Sequence, residues 1–146
     1  MDLSNFWMSE DGQYIYASNS NIYRTISSTG SSDTFNNNIN AIGKINFNDG
    51  FNYGLNFIYP GNHYLWIIIN DTYTTDTSTS ICQIEDNDYT LVKKYAYDLS
   101  YQPNAQTTSI DVKANYVFAN NQGTEISVLS KGTTNSTWII QFIRVK

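Results

Sequence analysis

The chain has little charge, a single cysteine, two prolines and no long apolar run. Only 14% of its 146 residues are charged, where soluble domains usually carry about a quarter. The 13 acidic residues outnumber the 8 basic ones, and no basic stretch exceeds Lys93-Lys94. Phosphate recognition depends on clustered cations, so nucleic acid is not an expected partner. Cys82 stands alone, which removes an intrachain disulfide and the usual cysteine-rich zinc site. Its segment Ser80-Ile81-Cys82-Gln83-Ile84 alternates, placing the thiol opposite Ile81 on a face that reads as polar on balance. With no basic neighbour to activate it, Cys82 reads as a small side chain filling a sheet. The longest strongly apolar run, Leu65-Trp66-Ile67-Ile68-Ile69, is too short to cross a bilayer, so no membrane span is expected. Met1 to Phe6 has neither the basic nor the apolar region of a secretory leader. No stretch of a dozen residues keeps helical periodicity without β-branched or turn residues interrupting it.

What remains is amide and hydroxyl. About a third of the residues are Asn, Ser or Thr, and the apolar residues fall in short alternating runs rich in Tyr, Ile and Phe, the signature of half-buried strands. The runs are Gln13 to Ala17, Asn21 to Ile26, Lys44 to Asn48, Asn52 to Tyr59, Tyr64 to Asn70, Ser80 to Glu85, Tyr89 to Leu99, Thr107 to Lys113, Asn115 to Ala119, Thr124 to Ser130 and Thr137 to Val145. Turn signals separate them about every 8 to 12 residues, as in antiparallel sandwiches and barrels. Asp49-Gly50 reads as the turn of a hairpin joining Lys44 to Asn48 with Asn52 to Tyr59. The unbroken apolar centre of Tyr64 to Asn70 calls for cover on both faces, which a single open sheet lacks. The last run, Trp138 to Val145, is apolar enough to be expected as a central strand. The length fits one domain spanning 1–146. Residues 1–40 read as an N-terminal hairpin and a Ser/Thr/Asn-rich linker leading into a sandwich over 43–146. The expected fold class is all-β: an antiparallel β-sandwich, a jelly roll of about ten strands.

The chemistry is sparse. His63, the only histidine, lies in the turn Pro60-Gly61-Asn62-His63-Tyr64, and no nucleophile motif surrounds any Ser or Cys82. Glu85, Asp86, Asp88, Asp98, Asp111 and Glu125 are candidates for a carboxylate pair of the glycosidase kind, but their places beside turns and on polar strand faces suit solvated groups. Glu85-Asp86-Asn87-Asp88 lacks the calcium-loop pattern and reads as a turn. No catalytic residue, metal or cofactor is expected. The sequons at Asn70 and Asn135 are what a chain this rich in Asn and Thr produces by chance. Aromatics give the better lead: 12 Tyr, 7 Phe and 3 Trp exceed the needs of one small core. Trp66, Tyr116, Trp138 and Phe142 are expected in the core or in a subunit interface. Asn19, Asn21, Tyr73, Asn120, Asn121 and Gln122 sit in polar loops where a ligand would find adaptable hydrogen-bonding groups.

From Lys44 onward, the order of hairpins, the run Gly123-Thr124-Glu125-Ile126-Ser127-Val128 and the closing strand Trp138 to Val145 resemble a jelly-roll head domain of the tumour necrosis factor or C1q-like kind. The resemblance covers roughly the last hundred residues. It implies a homo-oligomer, with a trimer favoured, of the sort found as receptor-binding heads of viral and phage fibres. Met8 to Ala17 with Ile22-Tyr23-Arg24 and Ser27-Ser28-Thr29-Gly30 is similar to one blade of an Asp-box propeller, although the Asp and Trp of the box are absent. The expected function is therefore a non-enzymatic structural or receptor-binding viral protein or cell-surface domain, located on a virion surface or extracellular, that binds a glycan or protein receptor. The alternatives are a stand-alone lectin-like or toxin-like binding domain and a fragment of a glycan-processing enzyme.

Overall fold

Leu65 to Ile69 needs cover on two sides, and the rest of the chain supplies it. A computed structural model describes residues 5–25, 40–50, 53–69, 80–105 and 107–146, together with the backbone of Asn70. The described residues are all β, arranged as three four-stranded antiparallel sheets. The first holds β1 (Phe6–Met8), β2 (Tyr14–Ala17), β3 (Asn21–Arg24) and β4 (Gly43–Lys44). The second holds β5 (Gly54–Pro60), β6 (Tyr64–Asn70), β7 (Ser80–Glu85) and β8 (Leu91–Ala96). The third holds β9 (Ser100–Tyr101), β10 (Ile110–Ala119), β11 (Glu125–Gly132) and β12 (Trp138–Arg144).

The second sheet is the middle layer. The period of two along β6 sends Leu65, Ile67 and Ile69 into one apolar cluster with Tyr16, Ile22, Ile45 and Phe47 from the N-terminal side. Trp66 and Ile68 enter the opposite cluster with Ala114, Val117, Ile126 and Val128 of the third sheet. Each fully buried Ile or Leu here contributes about 1.5 to 3 kcal/mol of transfer free energy. Residues 5–25 are thus part of the core, with Trp7 and Tyr14 packed against it.

Several expectations are corrected. There are twelve described strands rather than about ten, and three layers rather than two. Every hydrogen-bonded neighbour is also the neighbour in sequence, so each sheet is a meander; a jelly roll passes strands between sheets. Asp49-Gly50 bends the chain as expected, but its flanks enter different sheets: β4 pairs with β3, and Asn46 bridges to Thr90. The two strands expected on either side of Ala114 are one, β10, interrupted by a bulge between Ala114 and Tyr116. That extra residue reverses the alternation, keeping Val112, Ala114 and Val117 inside while Tyr116 and Phe118 face out. Cys82 is fully buried beside Ile67 and Ile84, since β7 is covered on both faces and has no polar side. The terminal strand β12 is an edge, not a central strand. Its apolar residues on the inner face, Ile139 and Ile143, are half buried, whereas Ile140 and Phe142 are 61% and 65% exposed. The polar stretches expected as loops at 27–40 and 71–79 lie outside the described residues, except for Asn40.

Candidate functional site

Hairpin tips from all three sheets meet at one end of the stack. The turn between β1 and β2 is tied by Ser9, whose hydroxyl donates to Asp11 Oδ1 at 2.6 Å and accepts from the Tyr14 amide at 2.9 Å. Asp11 also accepts from the Gln13 amide, and these bonds hold its carboxyl below the usual range, the Ser9 hydroxyl contributing most. Between β5 and β6, Gly61 N donates to Tyr64 O at 2.9 Å. Between β7 and β8, the Tyr89 amide donates to Glu85 O at 3.0 Å, and Asp88 Oδ1 takes the Thr90 amide and hydroxyl. A bond from Asp86 N to His63 O, 3.2 Å, links the last two tips directly.

Both of those tips carry a non-glycine residue in the left-handed region, His63 at φ 68° and Tyr89 at φ 58°. Glycine or Asn is the ordinary occupant of such a position, and an L side chain there costs about 1 to 2 kcal/mol. Tyr89 is the more unusual of the two, because bulky residues rarely adopt this conformation. Both side chains line a cleft of about 350 Å³, together with Tyr14, Tyr16, Asp11 and Asp86. Tyr16 and Tyr89 meet edge to face with ring centroids 6.1 Å apart. Burial pushes both hydroxyls up, Tyr16 strongly. A second, wider depression of about 670 Å³ adjoins at Glu10 and Pro60 to Asn62, and adds Tyr59, Asn120 and Asn121 from the β10–β11 turn.

Comparison with family models, curated proteins and solved structures returns no match.

Of the residues singled out from sequence, Asn120 and Asn121 line the wider depression. The Asn120 side chain is engaged in its own turn, accepting from the Thr124 amide at 2.9 Å and donating to the Thr124 hydroxyl at 3.0 Å. Gln122 is exposed on the same turn. Asn19 in the β2–β3 turn and Asn21 at the start of β3 lie at the other end of the first sheet, where Asn19 Oδ1 accepts from the Asn21 amide. Tyr73 lies outside the described residues. The aromatic set divides in the same way. Trp66 is fully buried in the core, whereas Tyr116, Trp138 and Phe142 come together on the outer face of the third sheet, 41%, 45% and 65% exposed. Cross-strand rows place Tyr116 beside Leu129 and Ile140, and Phe118 beside Ser127 and Phe142. Tyr116 stacks on Trp138 at 6.2 Å, and Lys131 Nζ lies 5.6 Å over the Trp138 ring.

Sequence reasoning missed Tyr14, Tyr16, Tyr89, Asp11 and Asp86 as neighbours. The available signal was the turn frame: Pro60 to Tyr64 and Asp86 to Thr90 each place a bulky residue where glycine ordinarily sits. Among the described residues no group of three His, Cys, Asp or Glu is arranged to hold a metal ion.

Proposed function

We propose that this chain is a non-enzymatic attachment domain, structural and receptor-binding, of a virion, phage fibre or other extracellular surface, and that its tip cleft takes a glycan. The observation that carries the reading is the convergence of hairpin tips that sets Tyr14, Tyr16 and Tyr89 beside Asp11, Asp86 and Asn62. Sugars are recognised by this mixture: an aromatic face covers the C–H side of the ring, while carboxylates and amides take the hydroxyls. Two bulky left-handed residues at one cleft support a binding role, because strain of this kind is retained where the surrounding structure uses the geometry. Hydrolysis is not favoured. Asp88 is held below the usual carboxylate range by its Thr90 hydrogen bonds, the opposite of what a general acid needs, and Asp86, Asp98 and Asp111 are exposed.

A glycan array probed with the full chain tests the proposal. Tyr89→Gly suits the left-handed backbone while removing the ring and its hydroxyl, so the fold should persist and glycan capture should fall at least tenfold. Asp86→Asn should weaken capture with no change in melting temperature. Absence of capture across the array, or capture unaffected by both substitutions, overturns the glycan reading. A protein receptor held at the same cleft would respond to the same two variants without any signal on the array.

A further inference from the structure

The three sheets do not treat their edges alike. β1 has three residues, β4 and β9 two each. β5 carries Pro60 and a bulge and lies against β10. β8 has Lys93 and Lys94, a shift in its pairing with β7, and Asn46 hydrogen-bonded beside its start. These are the usual devices that stop edge strands from pairing. Among the described residues β12 has none of them but one charge, and that charge, Arg144, is its last residue. Its seven residues pair with β11 without a register shift, contain no proline, and present Ile139, Gln141 and Ile143 inward with no charge among them.

We propose that β12 pairs with β12 of a second copy of this chain, antiparallel about a two-fold axis at Gln141, to make one continuous eight-stranded sheet. The bonds from Val145 N to Thr124 O and from Gly132 N to Thr137 O show that odd-numbered positions face β11. The backbone groups of Trp138, Ile140, Phe142 and Arg144 therefore point to the open edge. A two-fold at Gln141 sets Ile140 opposite Phe142 of the other copy, and Trp138 opposite Arg144, using all four free positions in ~8 main-chain hydrogen bonds. It adds two apolar pairs and two cation–π pairs on the outer face. On β12 itself the exposed apolar side chains Trp138, Ile140 and Phe142 offer roughly 100 Å² each, about 600 Å² over the two copies. With the edge itself this reaches the ~1,000 Å² that a specific interface needs. The resemblance to trimeric heads implied three copies; a self-complementary edge closes with two. The pairing is independent of the tip cleft, so glycan capture and self-association can fail separately.

Sedimentation equilibrium of the full chain from 1 to 100 μM, about the range in which modest interfaces report, should give twice the chain mass at the upper end. Ile140→Pro removes an N–H that points away from β11, so the fold should be kept, by circular dichroism, and the mass should halve. Phe118→Lys, two strands from the edge, should leave the dimer intact. A monomer or a trimer throughout overturns the proposal, as does a dimer that survives Ile140→Pro in a folded chain. Loss of the dimer in Phe118→Lys but not in Ile140→Pro also overturns it, in favour of face-to-face stacking. If Ile140→Pro unfolds, Trp138→Glu with Phe142→Glu gives the same reading at side chains that are about half exposed or more.

Discussion

Of two tryptophans of similar sequence context, Trp66 should cost more than Trp138 on truncation. Trp66→Ala deletes a ring with no exposure, packed against Tyr64 and Tyr95 at centroid distances of 6.1 and 6.0 Å. Large-to-small changes of this kind cost about 3 to 5 kcal/mol. The Trp66 Nε1 hydrogen has no acceptor among the described residues, and a buried unpaired N–H costs about 1 to 3 kcal/mol, part of which the truncation returns. The net loss should therefore be about 3 kcal/mol, a large share of the ~5 to 15 kcal/mol that holds a domain folded. Trp138 keeps 45% of its surface in solvent. Half of a buried tryptophan's contribution, with the Tyr116 stack and the exposed Lys131 contact, comes to about 2 kcal/mol. In a domain of this size each kcal/mol moves the melting temperature by about 2 to 4 °C. Trp138→Ala should thus melt about 4 to 8 °C low, and Trp66→Ala about 6 to 12 °C low. Urea unfolding at matched, low micromolar protein concentration gives the free energies. Equal losses for the two variants would refute the layer assignment, because Trp138 would then have to be buried.

Three further outcomes follow from the packing. Gly61→Ala should destabilise by about 1 to 3 kcal/mol in urea titrations, because its methyl would sit 3.2 Å from Tyr64 O and 3.3 Å from the Trp66 ring. Deleting Asn115 removes the extra residue of the β10 bulge and leaves Ala114 and Tyr116 in a regular ladder with Val117 still inside and Tyr116 and Phe118 still outside, so the variant should stay soluble with a native circular dichroism spectrum, whereas inserting a residue after Val117 should turn Phe118 inward and give insoluble protein. Burial pushes the Cys82 thiol up to about 12, so a thiol reagent at pH 8 should leave the native chain untouched and label it fully in denaturant. Above its unfolded value of about 8.5 the unfolded chain loses this proton and the folded chain retains it, so stability falls as pH rises from there toward about 12, and Cys82→Ala should flatten that slope.

The strands were legible because burial here follows a period of two. β6 and β7 lie where the apolar runs lie, and the demand of Leu65 to Ile69 for cover on both faces correctly implied layers on either side. Pairing partners were not legible. Asp49-Gly50 has hairpin chemistry, but whether its flanks pair depends on Ile45 and Phe47 finding the core beside β2 and β3, a tertiary matter. β12 misled for a related reason. Apolar residues on both faces mean burial within one chain or burial by another, and sequence alone does not separate the two. The tip cleft was half legible: Asn120 and Asn121 stand out as loop amides, but Tyr14, Tyr16 and Tyr89 read as ordinary strand residues until the meanders bring their ends together.

A middle layer that is greasy on both sides constrains synthesis. The nascent chain leaves the ribosome one meander at a time, and each meander is local enough to form early. When residue 96 has emerged, the second sheet can settle onto the first, yet Trp66, Ile68 and Ile81 still have no roof. Until the last three long strands follow, that bare surface is available to any neighbouring chain on the same polysome. Slow translation through the codons of residues 97–146 should therefore reduce soluble yield more than the same delay placed in those of residues 1–50.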